Sequence, residues 1–363
     1  MRSLKVIMIM SIAFICFYFG FPELQERENQ QELASSKTQT KTSISPKKEE
    51  SEEQQKSSSE PQEEYKYDLS GSIYEVIGLS EKEIKAKYGE PEREDQSPYG
   101  YTWWIYKQDG VYTQIGVEGG KAVTIYTIGP KISAEPLLTG QPYESVGDIF
   151  EISNDVNVEY ENGSYQFKLS QDDVVQRPLI PLGKDIYMQL YFDQFTERLS
   201  SIRLFTANVL LVHQPYEVYY RGELPNQPLI LKRDWNKIEE GVEQQIFDIT
   251  NMIRNRFDKK SVTWHEKVAS VAFDHSKDMA IHNYFSHISL EGDGLKERLK
   301  ENKVYYFSAG ENIAAQYPDA PSTVEGWLNS KGHREALLNE DYTHLGVGVY
   351  RYYYTQNFLQ KPQ

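Results

Sequence analysis

Asn283-Tyr-Phe-Ser-His287, Gly310-Glu-Asn-Ile-Ala314, Trp327-Leu-Asn-Ser-Lys-Gly-His-Arg334 and Tyr354-Thr-Gln-Asn-Phe358 follow one another in the last third of a 363-residue chain, and the segments around them decide the fold. Upstream, Val242, Ile246, Ile249, Ile253 and Phe257 step by three and four, which predicts one buried stripe on a helix of about five turns. Trp264, Val268, Val271, Ala272, His275 and Met279 predict a second helix that continues to Asn283–His287. A third is predicted over Thr323–Leu338, with Val324, Trp327, Leu328, Ala336 and Leu337 turned inward. Ala309-Gly-Glu-Asn-Ile-Ala-Ala lies between the second and third. The end is strand-like, through His344-Leu-Gly-Val-Gly-Val-Tyr and Tyr352-Tyr-Tyr-Thr-Gln-Asn-Phe. Helices before, between and after short strands predict an α+β domain built as a three-layer α-β-α sandwich.

The four quoted words, in register from about Gly241 to Phe358, resemble the bacterial branch of the CAP superfamily, the SCP-like extracellular domain. The resemblance implies an open cleft in which two histidines and two glutamates bind a divalent metal. His287 matches the first histidine and Glu311 the first glutamate. Ser330 stands where the second glutamate belongs, and Tyr353 where the second histidine belongs, so half of the set is missing. His333, in Gly-His-Arg, is the further candidate for the same cleft. His287, Glu311 and His333 are therefore the candidate catalytic and metal residues. Two imidazoles and a carboxylate suit zinc with one open position. Without metal, a Glu beside a His can move protons. The three can equally hydrogen-bond one another and fix the loops.

Neighbouring residues have plainer expected roles. His275 lies on an apolar stripe and reads as a hydrogen-bonded core histidine, and Asn312 as a loop-ordering cap. Trp264 and Trp327 read as core anchors. Arg334 is expected to pair with Glu335 or Glu340 at the surface.

Towards the N-terminus, Ser80-Glu-Lys-Glu begins a short helix with a capping box, and Gly89 and Pro91 stop it. The runs Tyr101–Tyr106, Val111–Val117 and Ala122–Ile128 are β-rich and separated by Asp109-Gly110 and Gly119-Gly120, which predicts an antiparallel meander. Tyr187-Met-Gln-Leu echoes Tyr112-Thr-Gln-Ile, either by duplication of a helix-plus-sheet unit or by chance. The words Tyr88-Gly-Glu-Pro-Glu-Arg, Tyr99-Gly-Tyr-Thr-Trp-Trp-Ile-Tyr and Gln114-Ile-Gly-Val resemble the CAP-associated N-terminal domain of bacilli.

Val6–Phe21 is an apolar run flanked by Arg2 and Lys5, so it is expected to anchor the chain with its N-terminus inside and the rest outside; cleavage as a signal is the runner-up. A stretch rich in Glu, Gln, Ser and Lys follows and reads as a disordered stalk. The expected order is a membrane segment (1–22), a stalk (23–68), an α+β domain with an antiparallel sheet (69–214), a proline-bearing connector (215–237) and the CAP domain (238–363). Cys16 is the single cysteine, so no intramolecular disulfide forms. The net charge of −15 argues against nucleic acid as a partner.

An extracytoplasmic, membrane-anchored surface module is therefore expected, with a His/Glu cleft that takes a cell-wall, lipid or protein ligand. The alternatives are a hydrolase acting on peptide or wall polymer through Glu311 with His287 or His333, metal-assisted or not, and a structural protein of the envelope or spore coat.

Overall fold

The computed structural model describes residues 65–361, all within one compact unit, Pro61–Gln363. The expected membrane segment, and the stalk apart from residues 65–68, lie outside the described residues.

Helix α1 (Glu81–Tyr88) begins with the expected capping box between Ser80 and Glu83. Strands β1 (Arg93–Gln96), β2 (Thr102–Gln108), β3 (Val111–Glu118) and β4 (Lys121–Ile128) form the predicted meander. Both central turn residues of its tight hairpins, Asp109-Gly110 and Gly119-Gly120, have positive φ, as a two-residue turn matched to strand twist requires. Helix α2 (Tyr143–Gly147), hairpin β5 (Asp155–Tyr160) and β6 (Gly163–Lys168), and helix α3 (Gln171–Gln176) follow. A second meander then runs through β7 (Leu179–Gly183), β8 (Ile186–Asp193) and β9 (Arg198–Thr206). The two join edge to edge through β4 and β9, giving one sheet ordered β1-β2-β3-β4-β9-β8-β7. The repeated Tyr-x-Gln words thus lie on β3 and β8, each the middle strand of its β2-β3-β4 or β7-β8-β9 meander. Helix α4 (Ala207–His213) leads to β10 (Glu217–Arg221), which pairs with β6 inside the expected connector.

Helix α5 (Lys232–Arg256) opens the C-terminal region, starting well before the Val242–Phe257 stripe. It is followed by β11 (Thr263–Trp264), α6 (Glu266–Ile281), α7 (Leu295–Glu301), β12 (Ser308–Ala315), α8 (Ala320–Leu328), α9 (Lys331–Leu337), β13 (His344–Tyr350) and β14 (Tyr353–Gln360). The sheet order is β11-β13-β14-β12, with only the first pair parallel. Alternation along β13 explains the layers. Leu345, Val347 and Val349 share a core with Ile246, Ile249 and Ile253 of α5. Gly346 and Gly348 face α6, which lies so close that a Cβ on Gly348 would sit 1.8 Å from the Phe273 backbone nitrogen. The α-β-α sandwich is thereby formed.

The expected single helix over Thr323–Leu338 is two, α8 and α9. Ser330 is extended at the break, and Asn329 is held by the seven-stranded sheet: its Nδ2 donates to Phe192 O and its Oδ1 accepts from Gln194 N, both at 2.8 Å. The second helix ends at Ile281 rather than running to His287, and Asn283 takes a left-handed conformation that turns the chain.

One face of the large sheet closes over Ile73, Ile84, Val146 and Phe150. The other, bearing Trp103, Tyr112, Tyr126 and Tyr191, shares a core with α5 and α8. Charges are buried across this contact. Arg203 pairs with Asp319, and both are buried. Arg334 makes a two-pronged pair with Asp193 at 2.8 and 2.9 Å. Glu325 accepts from Ser200 and Ser201 at 2.8 and 2.6 Å. The surface pairing expected for Arg334 is thus corrected: its partner is 141 residues away, while Glu340 pairs with Lys259.

Candidate functional site

The site is built at the edge of the four-stranded sheet, where β12 is an outer strand. The β12–β14 register sets Glu311 opposite Asn357 and Asn312 opposite Gln356. Thr355 Oγ1 accepts from Ser276 Oγ of α6 at 2.8 Å, so Asn357, two residues on, and its cross-strand partner Glu311 face the α6 side. Gln356 donates to Thr250 of α5, so Asn312 faces the other side.

Beyond α6 the turn at Asn283 returns the chain over this face. His287 Nδ1 lies 2.9 Å from Glu311 Oε1, and Arg298 of α7 donates to Glu311 Oε2 at 2.5 Å. Arg298 also donates to the carbonyls of His287 (3.1 Å) and Asp293 (3.0 Å), tying the loop to the helix. The Glu311 side chain is 4% exposed and that of His287 55%. Burial on its own would raise the Glu311 carboxyl. The His287 hydrogen bond and the Arg298 charge outweigh it, and the group is held below the usual carboxylate range. Because a carboxylate only accepts, Nδ1 is the donor in this contact.

His333, on α9, meets the edge strand β12 through its backbone. Its carbonyl accepts from Asn312 Nδ2 at 3.1 Å, and its imidazole is lowered by burial and then by the neighbouring His287. His275 behaves as the core histidine expected: buried, lowered by desolvation, and bonded at 3.0 Å to the Ser286 carbonyl. Asn312 orders the site as expected, though from a strand. Trp327 is buried and donates to Ile313 O at 3.1 Å; Trp264 is only partly buried against the core.

Two residues of this site lay outside the sequence reading. Arg298 was signalled only by the amphipathic pair Leu295 and Leu299, which predicts a helix without saying where its arginine points. Asn357, wholly buried beside Glu311, has no hydrogen-bond partner at either amide atom.

The donor set as it stands does not suit a divalent cation. Arg298 takes one oxygen of Glu311 and His287 the other, and a guanidinium in contact repels a metal. Among the described residues no three His, Cys, Asp or Glu side chains are grouped to hold one.

The profile of the cysteine-rich secretory protein family, CAP, matches residues 247–361, and that of the CAP-associated N-terminal domain residues 77–216. The membrane protein YlbC of Bacillus subtilis (strain 168) is 46% identical over 367 residues, which cover 99% of each chain. The chain belongs to the CAP family. An extracellular SCP-domain protein from Bacillus anthracis superposes on 88% of this CAP protein and 100% of its own chain, with a TM-score of 0.76 and 40% identity. A cysteine-rich secretory protein from Staphylococcus aureus covers 80% of this chain and 96% of its own, at a TM-score of 0.71 and 25% identity. Among the described residues no helix is long and apolar enough to cross a membrane.

Proposed function

We propose that this CAP protein is an extracytoplasmic binding module, held at the membrane by Val6–Phe21, whose cleft captures a ligand of the cell envelope without transforming it. The supporting observation is the closed state of Glu311: both oxygens are occupied and its charge is neutralised by Arg298. A carboxylate so held is a poor general acid, because its proton affinity is lowered, and a poor metal ligand. Asn357 offers unspent hydrogen-bonding capacity beside it, a feature of buried polar groups that calls for a further partner. The names of the B. subtilis and B. anthracis relatives, a membrane protein and an extracellular one, agree with this placement.

A hydrolytic reading is favoured by one observation. Nδ1 of His287 on a buried carboxylate is the arrangement of an oriented general base, and the ring is half exposed. Purified insoluble wall polymer separates the two. Binding predicts saturable retention, weakened about tenfold or less by Glu311→Gln, with no soluble product released. Product release by the wild type that disappears in a folded Glu311→Gln variant would establish the hydrolase instead.

A further inference from the structure

Strand β10 is an outer strand of the three-stranded sheet β10-β6-β5. Four of its five residues are exposed, Tyr219 by 53% and Tyr220 by 52%. The hydrogen-bond ladder shows which of its backbone groups are free. Leu169 N donates to Asn154 O at 2.7 Å, continuing the β5–β6 pairing. Alternate residues of a central strand bond alternate neighbours, so Leu169, Phe167 and Tyr165 serve β5 while Lys168, Gln166 and Ser164 serve β10. Their partners on β10 are Glu217, Tyr219 and Arg221. The N–H and C=O groups of Val218 and Tyr220 therefore point to the open edge, and among the described residues they bond nothing. Other outer strands are engaged. Leu182 O of β7 accepts from Lys66 N, Ile313 O of β12 accepts from the Trp327 indole, and Arg93 of β1 pairs with Asp248 of α5.

An unpaired strand edge is a template for another strand, and β10 is self-complementary about Tyr219. When two copies run antiparallel with Tyr219 opposite Tyr219, Val218 falls opposite Tyr220 of the partner and Glu217 opposite Arg221 of the partner. Val218 and Tyr220, which bear the free groups, become the hydrogen-bonded pairs, and each pair exchanges both backbone bonds. Tyr219 meets its copy at the position where cross-strand side chains lie closest. On the inner face, Val218 packs partly against the core and Tyr220 stacks on Tyr165 at 6.1 Å, so pairing extends an apolar layer. On the outer face, each Glu217 meets an Arg221 that has no ion-pair partner among the described residues. We infer that β10 pairs with β10 of a second copy across a two-fold axis, joining two three-stranded sheets into one continuous sheet. The charge order selects this occupant and direction. In-register parallel pairing sets Glu217 against Glu217 and Arg221 against Arg221, and like charges directly opposite are destabilising. The inference does not rest on the cleft being a binding site.

The described residues carry their own cores, and the solved B. anthracis chain aligns along its whole length with 88% of this one. The fragment Pro61–Gln363 therefore serves for sedimentation, at a physiological salt that screens charges more than about 8 Å apart. A five-residue edge contact falls in the weak class below about 1,200 Å². Dimerisation is accordingly expected with a Kd on the order of 100 µM, read from samples up to about 1 mM. Tyr220→Pro removes a donor that points away from β6, a change that edge strands tolerate, and should abolish dimerisation with folding retained. Glu217→Arg and Arg221→Glu should each weaken it about tenfold, and the two together should restore it to within about twofold of wild type. Unchanged melting confirms folding of each variant. If Tyr220→Pro does not fold, the charge exchange, confined to exposed side chains, decides. The inference is overturned by a monomer at every concentration, by a dimer that persists in folded Tyr220→Pro, or by single reversals that have no effect or are not rescued by the exchange.

Discussion

Replacing Arg298 by methionine tests the electrostatic account of the cleft. The substitution keeps most of the side-chain volume and removes the charge that holds Glu311 ionised. Side-chain exposure is 11% for Arg298 and 4% for Glu311, so the pair is little screened by water. Removing one partner of a buried pair costs about 3–5 kcal/mol. His287 still donates to Oε1, which places the expected loss at about 3 kcal/mol near neutral pH. The sign of the pH dependence follows from the same balance. In the wild type the carboxyl is held low, so its contribution is present above the unfolded-state value and is lost as pH falls through the folded value. In Arg298→Met burial is the larger remaining influence and raises the carboxyl, so acid favours the folded variant relative to wild type. Urea denaturation should therefore show a stability gap that is largest around pH 7 and shrinks towards pH 4. Combining Arg298→Met with Glu311→Gln should recover part of the loss, with a coupling of about 2 kcal/mol. A gap under about 0.5 kcal/mol at pH 7, or one that does not vary with pH, refutes the reasoning.

Two further perturbations probe the fold and the donor set. Gly348→Ala forces a methyl group into the α6 backbone and should cost about 3 kcal/mol or more; a denaturation midpoint near that of wild type would show that the helix moves away freely. Zinc at a modest excess should leave the melting temperature unchanged, because Arg298 occupies the position a cation needs, whereas a rise that disappears in His287→Ala would reveal a metal site.

The parts of the fold legible in the sequence are those fixed by local chemistry. The Ser80–Glu83 box, the Asp109-Gly110 and Gly119-Gly120 turns, and the alternation of Leu345, Val347 and Val349 with glycines depend on neighbours within a few residues. The meeting of His287 with Glu311 was legible through a family resemblance, since nothing in their spacing of 24 residues implies contact. Arg298 escaped notice because a charged residue on a short amphipathic helix looks the same whether it faces solvent or a buried carboxylate. The break at Asn329 and the partner of Arg334 escaped for a different reason. Both are decided by groups on the far sheet, Phe192, Asp193 and Gln194, and the local pattern of α8 and α9 favours continuous helix and surface pairing.

Those long-range contacts bear on how the two halves work together. Arg203, Asp319 and Glu325 are buried where the seven-stranded sheet meets α5 and α8. Each would be left as an unpaired charge or unsatisfied carboxylate in a low-dielectric setting if its partner shifted away. Loose association is therefore disfavoured beyond what the shared apolar core alone imposes. The contact lies on the α5 side of the CAP sheet, where Asn312 and Gln356 point, while Glu311 and Asn357 point to the α6 side. The large sheet accordingly does not line the cleft. It fixes α8 and α9 from behind, through Asn329 and Arg334, and α9 is the helix that presents His333 at the β12 edge. A ligand that draws His333 and His287 together must work against that bracing, so the arrangement favours a cleft shaped before any ligand arrives, which lowers the ordering cost of binding.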